Sequence, residues 1–264
     1  MAPGRLIPHH DEAIVLRTWP FHEADLLVSL FTREQGKVKG IARHAMKSRK
    51  RFGGALEPGT FVAAHYTERP REELVRCDSF EILWSPMSQP VDLLRTAGLQ
   101  LVVEVLEEAL PDLATDDNVF RLAVTALRGM GPSAGDTPGA ANCVWASVTY
   151  FGVWMCRLMG WWPEFGHCVV CGLELAAEDV WWSSAADGVT CIDDRRSQSR
   201  SLSAAAVIQS YRMARLSLEQ LISEETNRRN LYREMGVFAV AVLERHLQRK
   251  LRSAAALDSA LARG

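Results

Sequence analysis

The chain reads as an α+β protein, and three observations place it there. Five short β-rich runs fill residues 11–85, and a 3.6-residue apolar period begins after Pro86 and Pro90. One cysteine-rich hairpin then interrupts the helical region. At 264 residues there is room for two domains with separate cores. A 48% apolar and 23% charged composition is that of a folded globular protein.

The first run, Glu12–Arg17, stops at the turn-like Trp19-Pro-Phe-His22, and Asp25–Phe31 follows. Gly36–Ala42 alternates polar and apolar residues, as does a strand with one buried face. Thr60–Tyr66 is the fourth run, and Glu73–Cys77 continues toward Ile82–Trp84 as the fifth. Five strands in so short a stretch, with no helical period among them, predict a small closed barrel of the OB-fold type over residues 11–85. Residues 1–10, MAPGRLIPHH, are expected as a flexible tail; they lack the apolar run of a signal peptide.

Residues 86–264 are expected to form a helical domain. Apolar positions 94, 97, 101, 105 and 109 repeat once per turn, and Val119–Met130 continues the pattern. Gly131–Gly139 reads as a flexible connection before a stripe of Val144, Val148, Phe151, Met155 and Leu158. Helices over roughly 203–223 and 229–252 close the chain. The stripes, together with Trp145, Trp154, Trp161 and Trp162, are core material. No span approaches the ~20 uncharged residues of a membrane helix, so a cytoplasmic location is expected. In that compartment the six cysteines are thiols or metal ligands before they are disulfides. Cys77, Cys143 and Cys156 sit in apolar periodic segments as small core residues.

The interruption, over 166–196, has metal-site spacing. Cys168-Val-Val-Cys171 is one knuckle, and Cys191 follows after a gap of nineteen residues with Asp194 three positions beyond it. Two Cys-x-x-Cys knuckles at such spacing make a zinc ribbon, whose thiolates fold a core-poor hairpin around the ion. Here the fourth thiol is replaced, so Cys168, Cys171, Cys191 and Asp194 are the expected ligands and zinc the expected cofactor. His167 and Asp193 are alternative donors. The competing possibility is a metal-free ribbon held by Trp181 and Trp182.

Charge is distributed unevenly. Between Gln35 and Leu56 lie Lys37, Lys39, Arg43, Lys47, Arg49, Lys50 and Arg51 without one carboxylate. The chain has a net charge of −2, so subtracting these seven leaves −9 for everything else. Such a window attracts polyanions while the remaining surface repels them. It falls on the third strand and the following loop, where OB barrels hold single-stranded nucleic acid. Phe52, Phe61 and Tyr66 are the candidate base-stacking rings. Arg195, Arg196 and Arg200 are candidates for extending the track.

Enzyme classes drop out for want of parts. Gly54-Ala-Leu-Glu-Pro-Gly59-Thr60 lacks the lysine of a phosphate-binding loop. A zinc deaminase needs Pro before its Cys-x-x-Cys, where this chain has His167.

Four segments carry a resemblance: Glu12–Arg17, Glu23–Thr32, Gly36–Arg43 and Arg51-Phe-Gly-Gly-Ala-Leu-Glu-Pro58. They resemble the RecO family of bacterial recombination mediators, as does a Cys-x-x-Cys insertion after Gly-Trp-Trp-Pro. The resemblance implies an OB-fold and a non-enzymatic, nucleoid-associated role in double-strand-break and gap repair. It implies binding of single- and double-stranded DNA, annealing of complementary strands, and loading of RecA with RecR onto DNA coated by single-stranded DNA-binding protein (SSB). The seven basic residues are the implied DNA contacts. The SSB tail is the implied partner of the helical domain, where Arg228, Arg229, Arg233, Arg245, Arg249, Lys250 and Arg252 form a basic rim. The alternative is another OB-fold and zinc-ribbon binder of nucleic acid, acting on RNA or in transcription.

Overall fold

The computed structural model describes residues 6–69, 72–88, 92–131, 138–175, 178–184, 186–224 and 228–261. The expected connection Gly131–Gly139 lies outside these residues over 132–137. Five strands close the barrel: β1 (Ile7–Pro20), β2 (Leu26–Thr32), β3 (Gly36–Ala42), β4 (Phe61–Glu68) and β5 (Val75–Trp84), in spatial order β1-β2-β3-β5-β4. Neighbours are antiparallel except β3 and β5, which run parallel over Gly40–Ala42 and Val75–Cys77. This is the OB-fold arrangement.

Alternation along each strand fills the interior with Ala13, Val15, Val28, Leu30, Val38, Val62, Ala64, Val75, Cys77 and Phe80. Each large apolar side chain so buried contributes about 1.5–3 kcal/mol. Gly40 permits the parallel closure, because a Cβ there would lie 2.7 Å from Cys77 Sγ. Gly36 turns β2 into β3 at φ +70°, and a Cβ would come within 2.3 Å of the Ala114 carbonyl oxygen.

The expected tail is corrected over residues 7–10. These belong to β1 and pair with β4, His10 standing opposite His65 and His9 opposite Tyr66. Their rings stack across the strands at 4.2 Å and 5.0 Å, giving a polar segment enough partners to stay in the sheet. Residues 1–5 lie outside the described residues.

The barrel's compact unit also takes in chain beyond residue 85. The chain divides into two compact units, one of residues 1–92 and 99–127, the other of 93–98 and 128–264. Most of α1 (Leu93–Ala109) and α2 (Asp117–Gly129) therefore go with the barrel. Phe120 meets Phe31 and Phe61 at ring distances of 5.4 and 6.1 Å. Ser29 donates a hydrogen bond to Glu107 at 2.6 Å, and Arg33 bridges Glu12 and Asp117. Helical period tells that a face is buried, not what it is buried against.

In the second unit, α3 (Pro138–Leu158) packs on α6 (Arg229–Leu247), and Thr149 donates to the Tyr232 carbonyl at 2.6 Å. The expected helix over 203–223 is two, α4 (Ala204–Met213) and α5 (Leu218–Ile222). Ser217 and Gln220 form a capping box that restarts the backbone. The expected helix over 229–252 ends at Leu247, because Gln248 takes a left-handed conformation, and α7 (Arg252–Leu261) follows. Between α3 and α4 the hairpin pairs β6 (Val180–Trp182) with β7 (Arg200–Leu202). Trp145 and Trp182 are buried, while Trp154, Trp161 and Trp162 are half-buried. Cys77 and Cys156 are buried thiols, and burial pushes that of Cys77 up to about 12. No helix among the described residues is long and apolar enough to cross a membrane.

Candidate nucleic-acid interface

The basic window continues from β3 into the loop 43–60, which is held at both ends. At the start, Asp25 accepts a hydrogen bond from the His44 backbone N–H at 2.7 Å, and the Met46 N–H donates to the Ala24 carbonyl. The bond from the His44 backbone, helped by the nearby charge of Arg43, keeps the Asp25 carboxyl below its ordinary range. At the far end Phe52 and Ala55 enter the barrel core, and the Phe80 N–H donates to the Arg51 carbonyl at 2.8 Å. Phe52 meets Phe80 edge-on at 5.4 Å. Between these anchors Arg43, Lys47, Arg49 and Lys50 are exposed. Among the described residues none of the four has an ion-pair partner.

The other three cations differ. Lys37 is buried; it donates to the Glu107 carbonyl at 2.8 Å and lies 3.3 Å from Asp112. A cation there satisfies carbonyl oxygens at the C-terminal end of α1. Lys39 is partly exposed and 3.5 Å from the same Asp112. Burial works against the charged form of Asp112, but Lys37 and Lys39 outweigh it and hold the carboxyl below its ordinary range. Arg51 braces the loop from inside, donating to the Arg43 carbonyl and to Ser48 Oγ while its guanidinium lies 5.1 Å over the Phe52 ring. A period-2 pattern put Lys37 and Lys39 on one outward face; it could not reveal that a helix covers that face.

The expected stacking rings are corrected. Phe52, Phe61 and Tyr66 are 2%, 6% and 2% exposed, so their faces are not available to bases. Exposed side chains beside the loop are Met46 and, in the β1–β2 turn that Asp25 ties to it, Phe21 and His22. Sequence reasoning saw that turn only as a strand terminator.

In the second unit the hairpin brings four metal-capable donors together. Cys168, Cys171, Cys191 and Asp194 place their ligand atoms within 4.8 Å of one another. Asp194 Oδ2 lies 3.2 Å from both Cys168 Sγ and Cys191 Sγ, and the Cys171 and Cys191 sulfurs are 3.8 Å apart. Thiol donation, first from Cys171, lowers the Asp194 pKa, and the same hydrogen bond pushes Cys171 up to about 12. His167 and Asp193, the alternative donors, stand outside this group. The cluster is a donor set able to hold one metal ion, which would draw the protons off its thiols.

Comparison with known proteins decides the family. A family model described as Recombination protein O N terminal matches residues 6–86, and one described as Recombination protein O C terminal matches residues 90–255. The chain belongs to the RecO family. It is 44% identical to a DNA repair protein RecO of Koribacter versatilis, over 94% of this chain and 97% of that protein. A DNA repair protein RecO of Geobacter sulfurreducens is 32% identical over 70% of the chain and 72% of its own length. A third, from an Anaeromyxobacter species, is 30% identical over 93% of both.

In this RecO-family chain three cations of the expected basic rim form ion pairs. Arg228 pairs with Glu224, Arg245 with Asp187, and Lys250 with Glu244. Arg233 is exposed. Arg195 and Arg200 lie over the rings of Trp181 and Trp182, at 4.8 and 5.3 Å.

Proposed function

We propose that this RecO-family protein is a non-enzymatic recombination mediator in DNA repair. It binds single- and double-stranded DNA along the loop after β3, anneals complementary strands, and with RecR helps RecA load onto SSB-coated single strands. The observation that carries this reading is the set of four exposed, unpaired cations, Arg43, Lys47, Arg49 and Lys50, on a loop fixed at both ends. Each such cation that neutralises a phosphate releases condensed counterions. Contacts to phosphate carry no base information, so the reading expects binding with little dependence on sequence. A cationic surface of this kind lowers the repulsion between two backbones, which is what annealing requires. The repair role is supported by the names of the relatives. The location that suits it is the cytoplasm, with the nucleoid, and the SSB tail is its partner in the second unit.

The discriminating experiment is annealing of complementary strands already coated with SSB. The mediator reading expects the protein to accelerate it. A protein that binds bare strands but leaves coated ones unannealed would be a simple nucleic-acid binder, such as one acting on RNA or in transcription.

Zinc is the metal this reading assigns to Cys168, Cys171, Cys191 and Asp194. Tetrahedral ligands at zinc bond lengths lie about 3.5–3.8 Å from one another, and the four donor atoms here lie within 4.8 Å, with pairs at 3.2 and 3.8 Å. Bound zinc would fold the hairpin by joining two knuckles that have little core between them. Protein purified without added metal is expected to carry about one zinc per chain, and Cys171→Ser to lose most of it. Less than about a third of an equivalent in the unaltered protein would contradict the assignment.

A further inference from the structure

We propose that the second unit carries its own phosphate-backbone site, a groove between β7 and the N-terminal part of α6 that holds a second stretch of DNA. The proposal rests on the reading of the chain as a strand-annealing DNA binder and gives the second strand a place.

The groove has a volume of about 330 Å³, and Arg200, Ser201, Asn230 and Arg233 line it together with Trp182 and Glu234. Arg200 is positioned in advance, its guanidinium 5.3 Å over the Trp182 ring. Arg233 is exposed on the next element. Among the described residues neither arginine has an ion-pair partner. The one carboxylate in the lining is directed elsewhere: Glu234 accepts from the Ser203 backbone N–H at 2.5 Å and from Ser203 Oγ at 2.8 Å. Both bonds fix the N-terminus of α4, as does Asp179, which accepts from the Ala204 N–H at 2.9 Å. The acids of this region thus serve a helix end, and the arginines are left facing the groove.

The chemistry favours a phosphodiester over an acidic peptide. A planar guanidinium fork matches phosphate oxygens, and Asn230 and Ser201 add neutral donors. Arg195, held over Trp181 at 4.8 Å, and the exposed Arg196 precede Arg200 on the same hairpin and keep it positively charged. An acidic peptide would need an apolar pocket to seat its side chains, and this lining offers only a buried Trp182 and half-buried Val237.

The test uses the full-length protein and two non-complementary oligonucleotides with different dyes. Anisotropy reports the first strand, and energy transfer reports both strands on one protein. The unaltered protein is expected to give transfer. Arg200→Ala/Arg233→Ala is expected to lose it while keeping first-strand affinity within about twofold. Because Arg200 packs on Trp182, Arg233→Ala alone is the second variant. It should weaken second-strand capture severalfold and flatten its log–log salt dependence by about 0.7. Arg200→Lys/Arg233→Lys should retain most of the transfer. Transfer unchanged in both alanine variants overturns the groove. So does a bound first strand without transfer in the unaltered protein, or a groove that takes an acidic peptide and no second strand. If no strand binds at all, the mediator reading itself fails, an outcome distinguished by the absent anisotropy change.

Discussion

Replacing Arg43, Lys47, Arg49 and Lys50 together by alanine is expected to weaken single-strand binding by about two orders of magnitude at physiological salt. Each phosphate neutralised on a single strand adds about 0.7 to the log–log salt slope, so four contacts account for about 2.8; between 1 M salt and the physiological range this amounts to about two decades of affinity. Stability should barely change. The four side chains are exposed and unpaired, and surface substitutions of that kind usually stay within about 0.5 kcal/mol. Arg51 is left in place because it holds the loop's own backbone through the Arg43 carbonyl. Titration of a labelled oligonucleotide, beside thermal unfolding of both proteins, checks the pair of expectations. An unfolding midpoint that collapses with the charges would mean that these residues support the fold.

The largest stability effect is expected at Phe52. This ring is 2% exposed, packs edge-on against Phe80 and carries the Arg51 guanidinium on its face. Phe→Ala in a core removes apolar contact and leaves a cavity, at a cost of about 3–5 kcal/mol. Whole domains are commonly stable by only about 5–15 kcal/mol. Phe52 is also the far anchor of the basic loop, so Phe52→Ala should reduce DNA affinity although no charge is removed. Denaturant unfolding gives the first quantity and oligonucleotide titration the second. A loss below about 1 kcal/mol would show that the loop does not depend on this plug.

The barrel was legible because five short β-rich runs are separated by turns that carry Gly, Pro and Asp. β3 was bounded to the residue, since Gly36 and the loop after Ala42 punctuate a run that alternates polar and apolar residues. The start of β1 was missed because His9 and His10 look like tail residues until β4 supplies His65 and Tyr66 as partners. The donor set of the cysteine cluster followed from spacing alone, since the hairpin that joins two knuckles leaves little freedom. The charge window was legible as a total and misleading in detail. Burial of Lys37 depends on Asp112 and Glu107, some seventy residues away in sequence. The plug at Phe52 was hidden for the same reason: an aromatic residue beside arginines reads equally as a stacking platform or as core, and only the barrel interior decides.

The fixed loop after β3 is proposed as an electrostatic DNA track. The salt dependence of single-strand affinity, measured for the unaltered protein and for the four-alanine variant, tests it most directly. A steep linear fall of log affinity with log salt is expected in the first, and a slope about three units shallower in the second. Equal slopes in the two proteins would contradict it, because the counterions would then be released by some other surface.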